Sequence, residues 1–199
     1  MPYHRMAALI SAANFYDKVS HDGRVALGSK QNGYPLAING VQLSPGLPFS
    51  AIGPIPDEED CTHFISCCIG QAKAKIRVGG QDIEFRGGGL PVPQPFKDIK
   101  VYGETYAPRL VYWLKGSRLG TAMGRDFWPT HDFNTRQAIL QQLQPGDLLA
   151  YASRAHPDAY EHLALLVGPS NIACHTTQRY NKDYTDVYFP WITLLKLPG

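Results

Sequence analysis

One cysteine stands where a helix is predicted to begin. Cys61 follows the acidic run 57–60 and opens a stretch whose apolar residues recur at helical spacing. The electropositive start of a helix favours a thiolate, so a cysteine at this position is a candidate nucleophile. An ordinary buried cysteine is the alternative, and the acidic run itself favours the neutral thiol unless a cationic histidine lies nearby.

Two histidines lie on consecutive predicted strands further along the chain. His162 opens one strand and His175 lies in the next. With the segment 148–152 before them, these strands predict an antiparallel meander. A cysteine nucleophile uses a histidine base, which a third polar group orients. We therefore expect Cys61 Sγ within about 4 Å of a His162 ring nitrogen, with two structural histidines as the alternative.

Four short blocks around these residues resemble the motifs of one enzyme family. In chain order the blocks are DCTHFIS at 60–66, GDLL at 146–149, EHLALLVG at 161–168 and CHTTQRYN at 174–181. They are similar, in the same order, to the motifs DCTNFVS, GDII, HVAIV and HTNDR of an amidase domain family. That family belongs to the NlpC-type, papain-like cysteine peptidases and amidases. The similarity covers residues 57–70 and 130–185, whereas 1–50 and 75–125 have no counterpart.

The resemblance implies a fold, an activity and a role for each residue. The fold would be α+β and papain-like, with a nucleophile helix packed on an antiparallel sheet. Cys61 would be the nucleophile, His162 the general base and then acid, and His175 the group that orients His162 through a ring-to-ring hydrogen bond. The implied substrate is a peptide of bacterial peptidoglycan, cleaved at an amide bond without a cofactor.

The sequence departs from the family pattern close to the nucleophile. His63 replaces a small or amide residue, and we expect it either to face the cleft or to be solvated. Further on, Thr176, Arg179 and Asn181 are weak candidates for the substrate pocket, with a solvated loop as the alternative. We interpret Asp60 as a carboxylate that starts the helix rather than as a catalytic acid.

Other elements must position these residues. The length predicts one domain over 1–199, with residues 1–50 as an N-terminal extension of uncertain structure. Four further segments show a local pattern: 5–19 predicts a helix, 76–86 a strand or strand pair, 109–114 a strand or short helix, and 134–143 a helix opened by a capping box.

Composition and charge exclude several classes of protein. The formal net charge of +2 is too small for an electrostatic nucleic-acid binder, and 44% hydrophobic residues are too many for a disordered chain. No apolar run approaches the roughly 20 residues of a membrane span. The cysteines and histidines lack zinc-site spacing, so no metal is expected and the cysteines are interpreted as reduced. The first residues make a poor signal peptide, which leaves export and delivery to the cell wall open.

These features favour a cysteine amidase or endopeptidase that cleaves an amide bond of a cell-wall peptide. Two alternatives stay open. An acyltransferase of the same fold would need an acyl tunnel or a membrane-facing patch beside Cys61. A non-catalytic binding domain that keeps the fold would have a Cys61 thiol inert to iodoacetamide at neutral pH.

Overall fold

The structure is a computed structural model that describes residues 2–25, 30–31, 34–35, 43–52, 60–95, 101–175 and 179–199. Its mixture of helices and antiparallel sheets confirms the predicted α+β class. The α-helices are α1 (Arg5–Phe15), α2 (Phe49–Ile52), α3 (Cys61–Ile69), α4 (Ala107–Gly116) and α5 (Phe133–Leu140). The strands are β1 (Lys30–Gln31), β2 (Tyr34–Pro35), β3 (Lys73–Val78), β4 (Gln81–Arg86), β5 (Thr121–Phe127), β6 (Leu148–Ala152), β7 (His162–Leu166), β8 (Asn171–Cys174), β9 (Arg179–Asp183) and β10 (Trp191–Lys196). Within the described residues, no helix has the length and apolar character of a membrane span.

A six-stranded antiparallel sheet forms the centre of the fold. Its strand order is β5-β10-β6-β7-β8-β9, and β6-β7-β8 is the predicted meander. Leu148 of β6 pairs with Leu165 of β7, and Leu165 pairs in turn with Ala173 of β8. The hairpins β1–β2 and β3–β4 are separate from this sheet. Of the two alternatives for 76–86, a single strand or a strand pair, the structure has the pair, and its first strand begins earlier, at Lys73.

The central strands β6, β7 and most of β8 are buried on both faces, so their consecutive residues pack into two different core clusters. The helix face, which packs against α1 and α3, includes Ala150, Leu163, Leu165 and Ala173. The far face, which packs against the C-terminal end of α5, includes Tyr151, Ala164, Leu166 and Cys174. A shift of one residue along a strand therefore moves a side chain from one cluster to the other.

The first helix belongs to the main core. Ala8, Ala12 and Phe15 of α1 are fully buried and the helix contacts α3. The helix ends at Phe15 rather than at the predicted residue 19, and Lys18 beyond it forms an isolated β-bridge with Pro48. The described part of the segment 1–50 thus supplies one layer of the core.

The helix α3, which begins at Cys61, packs on the helix face of the sheet, and all of its residues are buried. It contacts α1 on one side and β7 on another, which explains why its sequence has no hydrophilic face. The helix ends at Gly70, where a larger residue does not fit. A Cβ atom at this position would lie 2.5 Å from the Ser66 carbonyl oxygen and 2.8 Å from the Tyr102 hydroxyl.

Two further predicted segments, 109–114 and 134–143, belong to helices in the structure. The segment 109–114 lies inside α4, with its buried residues at helical spacing. The helix predicted over 134–143 is α5, which ends earlier, at Leu140. Its N-cap is Asp132, whose carboxylate accepts the Thr135 N–H at 2.7 Å, so the predicted capping box at Asn134 is wrong by two residues.

Candidate functional site

Cys61 opens α3, as predicted, and its thiol is enclosed. The residue is 5% exposed. Its Sγ accepts a hydrogen bond from the backbone N–H of Leu163 in β7 and lies 3.7 Å from Thr62 Oγ1. Burial raises the pKa of the thiol to about 11, and the Asp60 carboxylate adds to the rise, although the hydrogen bonds oppose it. The resting thiol is therefore protonated at neutral pH. All four cysteines of the chain are free.

His162 lies on the far face of the sheet, away from Cys61. Its ring centroid is 5.8 Å from that of Tyr151 and 6.2 Å from that of Phe189. Within the described residues its buried Nε2 has no hydrogen-bond partner. The structure therefore does not bring the expected nucleophile and base together, because the alternation of β7 gives the helix face to Leu163 instead.

His175 is fully buried on the helix face, with both ring nitrogens engaged. Its Nδ1 lies 2.5 Å from Asp60 Oδ2, and its Nε2 lies 2.6 Å from the carbonyl oxygen of Phe15. The ring stacks on Phe64 with 4.1 Å between centroids. The expected ring-to-ring hydrogen bond to His162 is not formed, since both nitrogens of His175 already have other partners. His175 is thus positioned to hold Asp60.

Asp60 is the centre of a buried polar cluster. Its Oδ1 lies 2.8 Å from His63 Nδ1, and its Oδ2 binds His175. Burial raises the pKa of this carboxyl, but the charge of His63 and the hydrogen bonds from both rings outweigh burial and lower the pKa to about 2. Asp60 makes no side-chain capping bond to α3. Its interpretation as a helix-starting carboxylate therefore needs correction, because its oxygens serve two imidazoles instead.

His63 is a buried cation between two carboxylates. Its Nδ1 binds Asp60, while its Nε2 lies 3.0 Å from Asp22 Oδ2 and 3.7 Å from Cys67 Sγ. Burial lowers the pKa of His63, but Asp22, Cys67 and Asp60 outweigh that effect and hold the pKa well above its ordinary value. The side chain is 0% exposed, so the alternative of a solvated histidine is wrong.

Two members of this cluster, His21 and Asp22, were not among the candidates from the sequence. Asp22 Oδ2 accepts the Tyr102 N–H at 2.7 Å in addition to its contact with His63. His21 Nε2 lies 2.6 Å from Ser11 Oγ, and burial lowers the pKa of this imidazole to about 3. Adjacent histidine and aspartate were the only local signal, because the partners of Asp22 Oδ2 lie 41 and 80 residues away.

The cluster also contains the atoms of a possible metal site. Single ligand atoms of Asp22, His63 and Cys67 all lie within 4.8 Å of one another. The sequence predicted no metal, because ligand spacing along the chain does not reveal a carboxylate brought in from another element.

The remaining candidates lie at the edge of the sheet or outside the described residues. Arg179 and Asn181 belong to the edge strand β9. Arg179 Nη2 donates to the Asp186 carbonyl oxygen at 3.0 Å, and Asn181 Oδ1 accepts from Asn171 Nδ2 at 2.8 Å. Thr176 and the acidic residues 57–59 lie outside the described residues.

No protein-family model, curated protein or solved structure matches the chain. The similarity of its four sequence blocks to the amidase family therefore stays a prediction.

Proposed function

We propose that the protein is a papain-like cysteine amidase or endopeptidase that hydrolyses an amide bond of a bacterial cell-wall peptide. One observation carries the proposal. Cys61 opens a buried helix that packs on an antiparallel sheet, and the sheet donates the Leu163 N–H to its Sγ. Backbone N–H groups at a helix start favour a thiolate and can hold an oxyanion. The similarity of the motifs supplies the substrate class.

The reaction consists of two acyl transfers. In the first, Cys61 Sγ attacks the amide carbonyl carbon and its proton passes to His162. Backbone N–H groups at the start of α3 stabilise the oxyanion of the tetrahedral intermediate. His162 then protonates the leaving amine as the C–N bond breaks, which leaves a thioester on Cys61. In the second, His162 deprotonates water, which attacks the thioester, releases the carboxylate product and restores the thiol.

This reaction requires the start of β7 to turn over when substrate binds, because His162 lies on the far face of the sheet and rotation of its side chain alone does not reach Cys61. His162 directly precedes Leu163, whose backbone N–H already contacts Cys61 Sγ. His162 is the first residue of β7, and its Nε2 has no partner to lose within the described residues. The turn supplies the base that a thiol with a pKa of about 11 needs. The free protein is then a resting form that substrate activates.

Digestion of purified peptidoglycan tests the proposal, with the fragments identified by mass spectrometry. We expect new amino and carboxyl termini with the wild type and none with Cys61→Ala or His162→Ala. Cys174→Ala is the matched control, because Cys174 is equally buried but lies on the far face; this variant should keep the activity. Fragments released at the wild-type rate by Cys61→Ala would contradict the proposal.

A non-catalytic binding domain is the second candidate, favoured by the protonated thiol and by the position of His162 across the sheet. A groove of about 550 Å³, lined by Trp128, Arg154, Tyr188 and Phe189 among others, lies on the His162 side of the sheet. Such an aromatic and cationic lining suits a peptide. Wall binding without cleavage, weakened by Tyr188→Ala, would favour this candidate over the hydrolase.

A further inference from the structure

We propose that Asp22, His63 and Cys67 form a binding site for a zinc-like divalent transition-metal ion. His63 Nε2 lies 3.0 Å from Asp22 Oδ2 and 3.7 Å from Cys67 Sγ. A tetrahedral zinc ion with ordinary bond lengths separates nitrogen and oxygen ligands by about 3.3 Å, and nitrogen and sulfur ligands by about 3.6 Å. Both separations from His63 are close to these values. The Asp22 and Cys67 ligand atoms lie within 4.8 Å of each other, so side-chain rotations that draw this pair together complete the site.

Two elements of the chain present the three ligands. His63 and Cys67 are four residues apart on α3, so they project from the same side of the helix. Asp22 approaches from the turn after α1 and is held by two backbone groups. The Arg24 N–H donates to Oδ1 at 3.0 Å, and the Tyr102 N–H donates to Oδ2 at 2.7 Å. The carboxylate is therefore oriented before any ion binds.

The hydrogen bond on the other edge of His63 is typical of metal-bound histidines. Nδ1 donates to Asp60 Oδ1 at 2.8 Å, which fixes the ring and directs Nε2 toward Asp22 and Cys67. A carboxylate behind a ligating imidazole also raises the basicity of the nitrogen that faces the metal. Asp60 is itself held by His175. The carboxylate that orients His63 is therefore fixed in position as well.

Metal binding exchanges two protons for one ion. The divalent ion replaces the Nε2 proton of His63 and the thiol proton of Cys67, and both protons leave to solvent. The net charge of the buried cluster stays the same, and nothing is oxidised or reduced. One thiolate, one imidazole and one carboxylate are the mixed ligands that zinc accepts, and a water takes the fourth tetrahedral position. The Asp22 side chain is 10% exposed, and the water approaches from this side.

Titration of the metal-free protein with Co²⁺, followed by absorption, tests directly whether the three residues bind a metal ion. A thiolate ligand gives a charge-transfer absorption in the near ultraviolet, and tetrahedral cobalt gives intense visible bands. We expect one equivalent to bind and Zn²⁺ to displace it. Cys67→Ala should remove the charge-transfer band. Cys67→Ala and Asp22→Asn should each weaken binding by more than about 100-fold, which exceeds the usual effect of losing an outer partner.

Cys68→Ala is the matched control, because Cys68 is the next residue of α3 but packs in the apolar core. Cys68→Ala and Cys61→Ala should keep the band, which separates the metal site from the proposed hydrolysis. Far-ultraviolet circular dichroism confirms that each variant is folded. A folded wild type that binds neither ion overturns the proposal even if a variant fails to fold, and so does a charge-transfer band that persists in Cys67→Ala.

Discussion

Asp60 and His175 are 115 residues apart in the sequence, yet Oδ2 of one lies 2.5 Å from Nδ1 of the other. This bond ties the start of α3 to the end of β8. Phe64, one turn into the helix, stacks on the same imidazole at 4.1 Å. The residue that precedes Cys61 is therefore held by the sheet, and the position of the candidate nucleophile depends on that contact.

Asp60→Asn should destabilise the protein strongly. The substitution removes the negative charge that both His63 and His175 contact, and breaking a buried charged pair costs about 3–5 kcal/mol. The folded-state pKa of Asp60 is lowered to about 2, so its stabilisation is present above the unfolded pKa of about 4 and is lost as pH falls toward 2. Urea unfolding at several pH values measures both effects.

Asp82→Asn is the control for this measurement, because Asp82 is exposed in β4. We expect a change within about 0.5 kcal/mol there. Equal unfolding free energies for Asp60→Asn and Asp82→Asn would show that the buried cluster does not stabilise the start of α3.

His21 should make the protein less stable as pH falls below neutral. Burial lowers the pKa of this imidazole from 6.5 to about 3. Between those values the unfolded chain binds the proton that the folded protein excludes, so the unfolding free energy falls by up to about 1.4 kcal/mol per pH unit. His21→Gln should flatten this slope between pH 6 and 4. His156→Gln, at an exposed histidine, should leave the slope of the wild type unchanged, and an identical slope in both variants would refute the assignment.

Cys61 should react slowly with iodoacetamide in the free protein, both in the resting form of the proposed hydrolase and in a binding domain, so trapping with a substrate-like peptide separates the two. Burial raises the pKa of its thiol to about 11, against about 8.5 for free cysteine, so far less thiolate is present at pH 7. We expect the labelling rate, followed by peptide mass spectrometry, to rise about tenfold per pH unit between pH 7 and 10. A rate independent of pH across that range would mean that the thiol already has a base in the resting protein.

Asp147 should stabilise the fold rather than take part in the reaction, although it belongs to the GDLL block. The fully buried carboxylate binds Arg5 Nη1 at 2.7 Å and accepts the backbone N–H groups of Leu197 and Gln144 at 2.8 and 2.9 Å. Asp147→Ala removes the carboxylate that pairs with the Arg5 charge and accepts the two backbone N–H groups, and it should cost about 3–5 kcal/mol in urea unfolding. Asp158→Ala, whose carboxylate pairs with an arginine at the surface, should cost less than about 1 kcal/mol. Similar losses for the two variants would contradict the assignment.

Local patterns in the sequence predicted much of the fold. The meander, the helix that begins at Cys61 and the alternation of β7 follow from nearest neighbours along the chain. The faces of His162 and His175 depend on the register between two strands, which no local pattern sets. Leu165 pairs with Ala173, and the continued register places His175 opposite Leu163 rather than opposite His162.

The buried polar cluster around Asp60 could not be predicted from the sequence, for a related reason. The carboxylate of Asp22 meets His63 across 41 residues, and Asp60 meets His175 across 115. Tertiary packing of α1, α3 and the sheet creates these contacts, whereas residue types and spacing describe only neighbours within one element. Histidines and aspartates outside a spaced motif therefore did not reveal their partners.

Covalent trapping tests most directly whether Cys61 is the nucleophile. The reagent is a cell-wall-type peptide with a chloromethyl ketone in place of the scissile amide, and tandem mass spectrometry locates the adduct. At pH 7 we predict one adduct, on Cys61, formed faster than the iodoacetamide adduct because the peptide brings His162 to the thiol, and no such acceleration in His162→Ala. An adduct confined to another cysteine, or reaction of Cys61 at the same rate in the wild type and in His162→Ala, would contradict the proposed mechanism.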